Sequence, residues 1–366
     1  MLSLRDFWRR HRRKVFLTVG VLGSGYFLCK FYNGYRRRLD TLEREFTVQR
    51  ENEELIKAQM QAHFENIQRI SDTMTLPHAM YSLSCQIADD LDLSQLLDRL
   101  IKGKGQPNTL TPLEKLESWD RLKILSFTRM ALSVWATTVL SLYIKVQVNI
   151  LGRHLYIDTA RKLGSPNSME SGDAFDREDQ QKFLGNVDFL SQYGLPTLIS
   201  DMEAATKEVL KGKQLRDFFN YTTLCETIMQ ILDTFMSMGS PHHWIKYMMP
   251  EDVKLHTSSS SSEGLLHSDM TEFDQLMVEA RSVLSSSEFG NIIKISLKTV
   301  VENMGAKFRE ASLASDMPLA KVLPQVALMC PLLLEEPSKN QFIQVIKYIP
   351  EVELFFTLLY SNMPSA

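Results

Sequence analysis

The sequence predicts an all-α protein, a single elongated helical bundle with one N-terminal transmembrane helix. Three observations predict it. Apolar residues through the body recur at spacings of three and four, the period of a helix face. Strand signals are nearly absent, and glycine and proline (16 and 13 of 366 residues) are sparse and act as punctuation. One short apolar segment, Val15–Cys29, stands between two arginine-rich clusters.

The anchor comes first in the chain. Its apolar side chains include Val15, Phe16, Leu17, Val19, Val21, Leu22, Phe27 and Leu28. Arg9, Arg10, Arg12, Arg13 and Lys14 precede it, and Lys30, Arg36, Arg37 and Arg38 follow. Fifteen uncharged residues are short for a span, which takes about 20. If Lys30 snorkels, the usable stretch extends to Tyr35, with Tyr26, Tyr32 and Tyr35 toward one interface. A cleaved signal peptide also starts basic, but no small-x-small cleavage pattern follows the apolar core. Basic flanks on both sides leave the orientation open.

Composition narrows the function. Residues 1–38 hold ten basic residues and one acidic; the remainder holds 31 basic and 43 acidic. The body is therefore acidic and offers no basic field for nucleic acid. The basic N-terminal cluster fits a targeting receptor or anionic lipid. Four cysteines without paired spacing fit a body kept reduced. The domain expectation is an anchor over 1–38 and a helical body over 39–366.

The body reads as successive helices. Residues 39–73 form a long charged amphipathic helix that packs on the body or pairs as a coiled coil, its heptad too irregular to favour pairing. A helix over 76–101 and a loop at Gly103–Asn108 follow. Thr111-Pro112-Leu113-Glu114 opens the next helix with an N-cap, a proline at the first helical position and a capping-box glutamate. Its uncharged run Met130–Ile144 is a second membrane span or a central core helix; Ser133, Thr137, Thr138 and Ser141 within it favour the core. Loops are expected at 162–180 and 251–264. Helices are expected over 181–211, 214–238, 270–286, 289–310, 318–334 and 339–361. The sequon at Asn220 lies inside a helical pattern.

No P-loop, HExxH, GxSxG, dinucleotide glycine pattern or EF-hand loop occurs, so the sequence predicts no enzyme, no metal and no cofactor. His242-His243 beside Trp244 is the one histidine cluster, and a turn between helices accounts for it. On a helical wheel, Leu113, Leu116, Ile124 and Phe127 share a sector that reads as the core face. Lys115, Trp119 and Leu122 fall in another sector, where i,i+4 and i,i+3 spacing makes them neighbours. A tryptophan beside a leucine and a lysine is a partner hot spot or a side chain buried by a second helix.

The segment KLESWDRLKILSFTR, residues 115–129, resembles the peroxin-3 family, as does VQVNILG at 146–152. Shorter matches are HFE at 63–65, YMMP at 247–250 and PLAKVLP at 318–324. The resemblance implies a peroxisomal membrane protein with a lumenal N-terminus and a cytosolic helical body. It implies docking of peroxin-19, a soluble carrier and chaperone of new peroxisomal membrane proteins. An amphipathic helix of that partner would lie in a hydrophobic groove. The family's anchoring tryptophan carries over to Trp119, with Lys115 and Leu122 beside it. Asn149 and Leu155 match groove positions; Leu110 and Leu113 align loosely. Arg121 stands where some relatives have an acidic residue. Inheritance or autophagy factors are further partners to consider. The rival readings are a membrane-tethered structural protein and a lipid-handling helical protein.

Overall fold

The computed structural model describes residues 35–361 except 37, 40, 52, 53, 56, 60, 64, 103–110, 165–176, 251–270 and 311–315. The predicted anchor and the cluster Arg9–Lys14 lie outside the described residues, as do the predicted 251–264 loop and most of 162–180. The chain divides into two units, Met1–Ala62 and His63–Ala366. In the first, the described residues from 35 onward are helical, and this helix is called α1.

The second unit is built on one long helix. α4 (Pro112–Gly164) runs for 53 residues. Around it pack α2 (Leu76–Asp90), α3 (Ser94–Lys102), α5 (Arg177–Gly185), α6 (Leu195–Leu210), α7 (Tyr221–Ser237), α9 (Glu272–Leu284), α10 (Ser287–Glu310), α11 (Leu319–Leu333), α12 (Gln341–Lys347) and α13 (Pro350–Ser361). The described residues also form a four-residue helix α8 (Ile245–Met248), a π turn at Ser71–Thr75 and one antiparallel pair, β1 (Phe218–Phe219) with β2 (Met317–Pro318). The fold is all-α, as the hydrophobic periodicity predicts.

The run Met130–Ile144 is the axis of this core, buried at every position by its neighbours. A helix apolar all round is stable in water only when enclosed on all sides. Its hydroxyls are satisfied locally: Ser133 donates to the Arg129 carbonyl, Thr138 to Val134 and Ser141 to Thr137. This back-bonding accommodates three of the four Ser and Thr side chains in the apolar interior, and Thr137 donates instead to the Leu333 carbonyl of α11 at 3.3 Å.

Several predicted helices are divided. The helix expected over 76–101 breaks at Leu91, whose ψ of 46° leaves the helical region, and the Asp92 carboxylate accepts the Ser94 N–H to start α3. The stretch 181–211 holds a 3-10 turn at Asn186–Asp188 and a π turn at Leu190–Gly194 between α5 and α6. Asn220 is the N-cap of α7 rather than a residue inside a helix; its Oδ1 accepts the Thr223 N–H. The stretch 339–361 separates at Tyr348–Ile349, and the wholly buried Asn340 caps α12 while donating to the Leu333 carbonyl. At Leu91–Ser94 and at Asn220 a side chain competing for backbone groups outweighs continuous periodicity.

The turn at Gly239 and His242, both with positive φ, folds Trp244 and Tyr247 onto the edge of Trp135. Phe235 completes that aromatic cluster. His243 packs against Phe235 and Tyr247, and burial lowers its pKa.

Candidate functional site

The site lies at the N-terminal end of α4 and begins with a cap. The Thr111 N–H and hydroxyl both donate to Glu114 Oε2 at 2.8 Å, and the Glu114 N–H returns a bond to the Thr111 hydroxyl at 3.3 Å. This is the predicted capping box, and the bonds from Thr111 lower the Glu114 pKa. Thr111→Ala should destabilise the first turn of α4 by about 1 kcal/mol. Hydrogen exchange of the amides at 113–116 would show it, with little change in global unfolding.

Beyond the cap the chain places an apolar stripe at i,i+3 spacing. Leu113 is 67% exposed, Leu116 56% exposed, Trp119 half-buried and Leu122 3% exposed. The stripe therefore descends from solvent into the core within three turns. Leu122 is buried with Leu93 and Leu100, and Leu97, Trp119, Leu125 and Ala327 pack against that cluster. So α3, α4 and α11 converge beneath the Trp119 ring. Lys115, one turn before Trp119, is half-buried. Lys123 is held away from the stripe: its Nζ donates to the Lys213 carbonyl at 2.8 Å and pairs with Asp120 at 3.2 Å.

The predicted core face of these turns needs correction. Leu113 and Leu116 face solvent, whereas Leu122, read as part of the partner face, is the buried residue. A helical wheel discards position along the axis. At the level of Phe127 neighbours cover both sectors, but over the first turns α3 covers only the Trp119–Leu122 side.

The structure brings Lys115, Trp119, Leu122 and Leu113 to one end of α4. Leu110 lies outside the described residues. Asn149 and Leu155 are not brought there: 30 residues of continuous helix set Asn149 about 45 Å from Trp119. Asn149 is wholly buried and donates to the Lys145 carbonyl. Leu155 neighbours Arg153 and His154, which both pair with Glu279 of α9.

Sequence reading missed Leu116 as a surface residue, and Leu93, Leu97, Leu100 and Ala327 as supports of the tryptophan. Leu93, Leu97 and Leu100 did carry a signal, an i,i+4,i+7 stripe on a short helix. Ala327 carried none. On α11, Leu328 beside it is 73% exposed and Leu332 47% exposed, so a second apolar edge lies on the helix that supports the Trp119 site.

These features belong to a known family. The Peroxin-3 family model matches residues 104–362. Peroxisome biogenesis protein 3-2 of Arabidopsis thaliana is 57% identical over 99% of both chains, and its relative 3-1 is 53% identical over the same shares. Peroxisomal biogenesis factor 3 of Homo sapiens is 28% identical over 98% of this chain and 96% of its own. The chain belongs to the peroxin-3 family.

Proposed function

We propose that this protein is a docking receptor of the peroxisomal membrane that captures peroxin-19 through an amphipathic helix of that carrier. Family membership supports the role in peroxisome biogenesis. The observation that supports the docking surface is the stripe Leu113–Leu116–Trp119, presented on a capped helix and floored by the buried Leu122 cluster. Helix-in-groove recognition uses such parts: an aromatic anchor, aliphatic walls and a polar rim. Glu114, Lys115, Glu117, Asp120 and Arg121 supply a rim of both signs.

In this reading the N-terminal segment, with its lumenal end, holds the body on the cytosolic face, and capture of loaded carrier delivers membrane-protein cargo for insertion. The recognition step is non-covalent, and its energy comes from desolvating the stripe. Leu116→Asp tests it, because Leu116 is exposed and its replacement leaves the core untouched. Calorimetric titration with a synthetic N-terminal helix of peroxin-19 should show binding at least about tenfold weaker. Unchanged affinity would remove this surface from the docking site.

A further inference from the structure

The first unit carries a second apolar surface that the docking role does not use. On α1, Tyr35, Leu39, Leu42 and Phe46 are 61%, 47%, 48% and 68% exposed. Their spacings of four, three and four put Leu39 and Phe46 at heptad positions a, and Tyr35 and Leu42 at d. That register assigns Arg38 and Glu45 to g, and Glu43 and Arg50 to e. In a parallel, in-register pair, each g residue faces the e residue five positions later on the other helix. Arg38 then meets Glu43 of the second copy, and Glu45 meets Arg50. Twofold symmetry repeats both, so all four facing pairs are of opposite charge.

We propose that this face of α1 is a homotypic interface, its occupant the same face of a second copy in parallel register. The alternative occupant of an exposed apolar stripe is the bilayer surface. Helices that lie on anionic membranes carry lysine and arginine on the polar face. Between Tyr35 and Arg50 the chain carries five basic residues and three acidic, and two of the acidic ones, Glu43 at e and Glu45 at g, flank the stripe on either side, where anionic headgroups would repel them. The seam is also short. Gln49 takes the next d position, so the apolar pattern stops after Phe46. Pairing through so short a seam needs the high local concentration of two chains held on one membrane.

The test uses the full chain, with Cys29→Ser and Cys85→Ser, reconstituted in phosphatidylcholine vesicles. Leu42→Cys at d and Arg44→Cys at f are each exposed to a mild oxidant. The dimer yield at position 42 should exceed that at 44 by about fivefold or more, because only d positions face the partner helix. Adding Glu45→Arg to Leu42→Cys should lower the yield about threefold, and adding Arg50→Glu as well should restore it, since the g–e pairing is then reversed as a set. Equal yields at 42 and 44, no dimer at 42, or indifference to charge reversal would overturn the proposal. A fluorophore on Leu42→Cys quenched by brominated lipid, without cross-linking, would assign the face to the bilayer instead.

Discussion

Trp119→Ala is expected to weaken binding of the carrier helix by about 2–4 kcal/mol, which is roughly 30- to 1000-fold in Kd. Trp119 offers the largest side chain of the stripe and sits half-buried on the Leu93–Leu100–Leu122 cluster. Its ring is held before the partner arrives, so little side-chain entropy remains to be lost on binding. The same packing means that its removal also loosens α3. Leu97→Ala separates the two effects. It removes a support of the cluster without removing the aromatic ring, and should cost stability with a smaller loss of affinity. Calorimetry and thermal unfolding on both variants read the difference. Equal affinity losses for Leu97→Ala and Trp119→Ala would mean that Trp119 acts through fold integrity alone.

Gly194→Ala is expected to cost about 3 kcal/mol of stability, at the upper end for overpacking. A Cβ at Gly194 would lie 2.1 Å from the Tyr247 carbonyl oxygen, 2.9 Å from its carbon and 3.0 Å from its Cα. These are backbone atoms, so no rotamer change relieves the contact. The π turn Leu190–Gly194 makes this close approach, and only a residue without a side chain fits there. Displacing Tyr247 also disturbs its hydrogen bond to Asp201 and its edge contact with Trp135. Gly290→Ala is the matched control. Nothing lies within 4 Å of its Cβ position inside α10, so the helix should gain up to about 1 kcal/mol. Thermal unfolding of both should give shifts of opposite sign. A neutral Gly194→Ala would show that the contact with Tyr247 yields cheaply.

The legible parts of the fold are those written in local chemistry. The capping box at Thr111–Glu114 needs only residues three apart, and it forms as read. The central helix Met130–Ile144 is an uncharged run in which Ser133, Thr138 and Ser141 bond one turn back. The breaks were harder to read. Leu91 and Asn220 interrupt runs whose apolar spacing continues across them, because a side chain beside the break, Asp92 or Asn220, takes up a backbone N–H there. The π turn at Leu190–Gly194 has no pattern of its own, and its need for glycine arises from α8, some fifty residues later.

The same division applies to the proposed docking surface. By itself the sequence determined that the chain is helical, which residues open α4, and, through the 115–129 segment, the family and its tryptophan. It did not determine which side of α4 meets solvent. Leu113 and Leu122 are nine residues apart and fall on opposite sides of the helix, and both are leucine. Only the arrival of α3 and α11 buries one and leaves the other 67% exposed. Nor did it separate Trp119 from Asn149, which the family resemblance set in one groove. A continuous helix holds them about 45 Å apart. Periodicity states which residues share a face. Burial depends on neighbours from distant parts of the chain, and distance along an axis depends on whether the helix breaks.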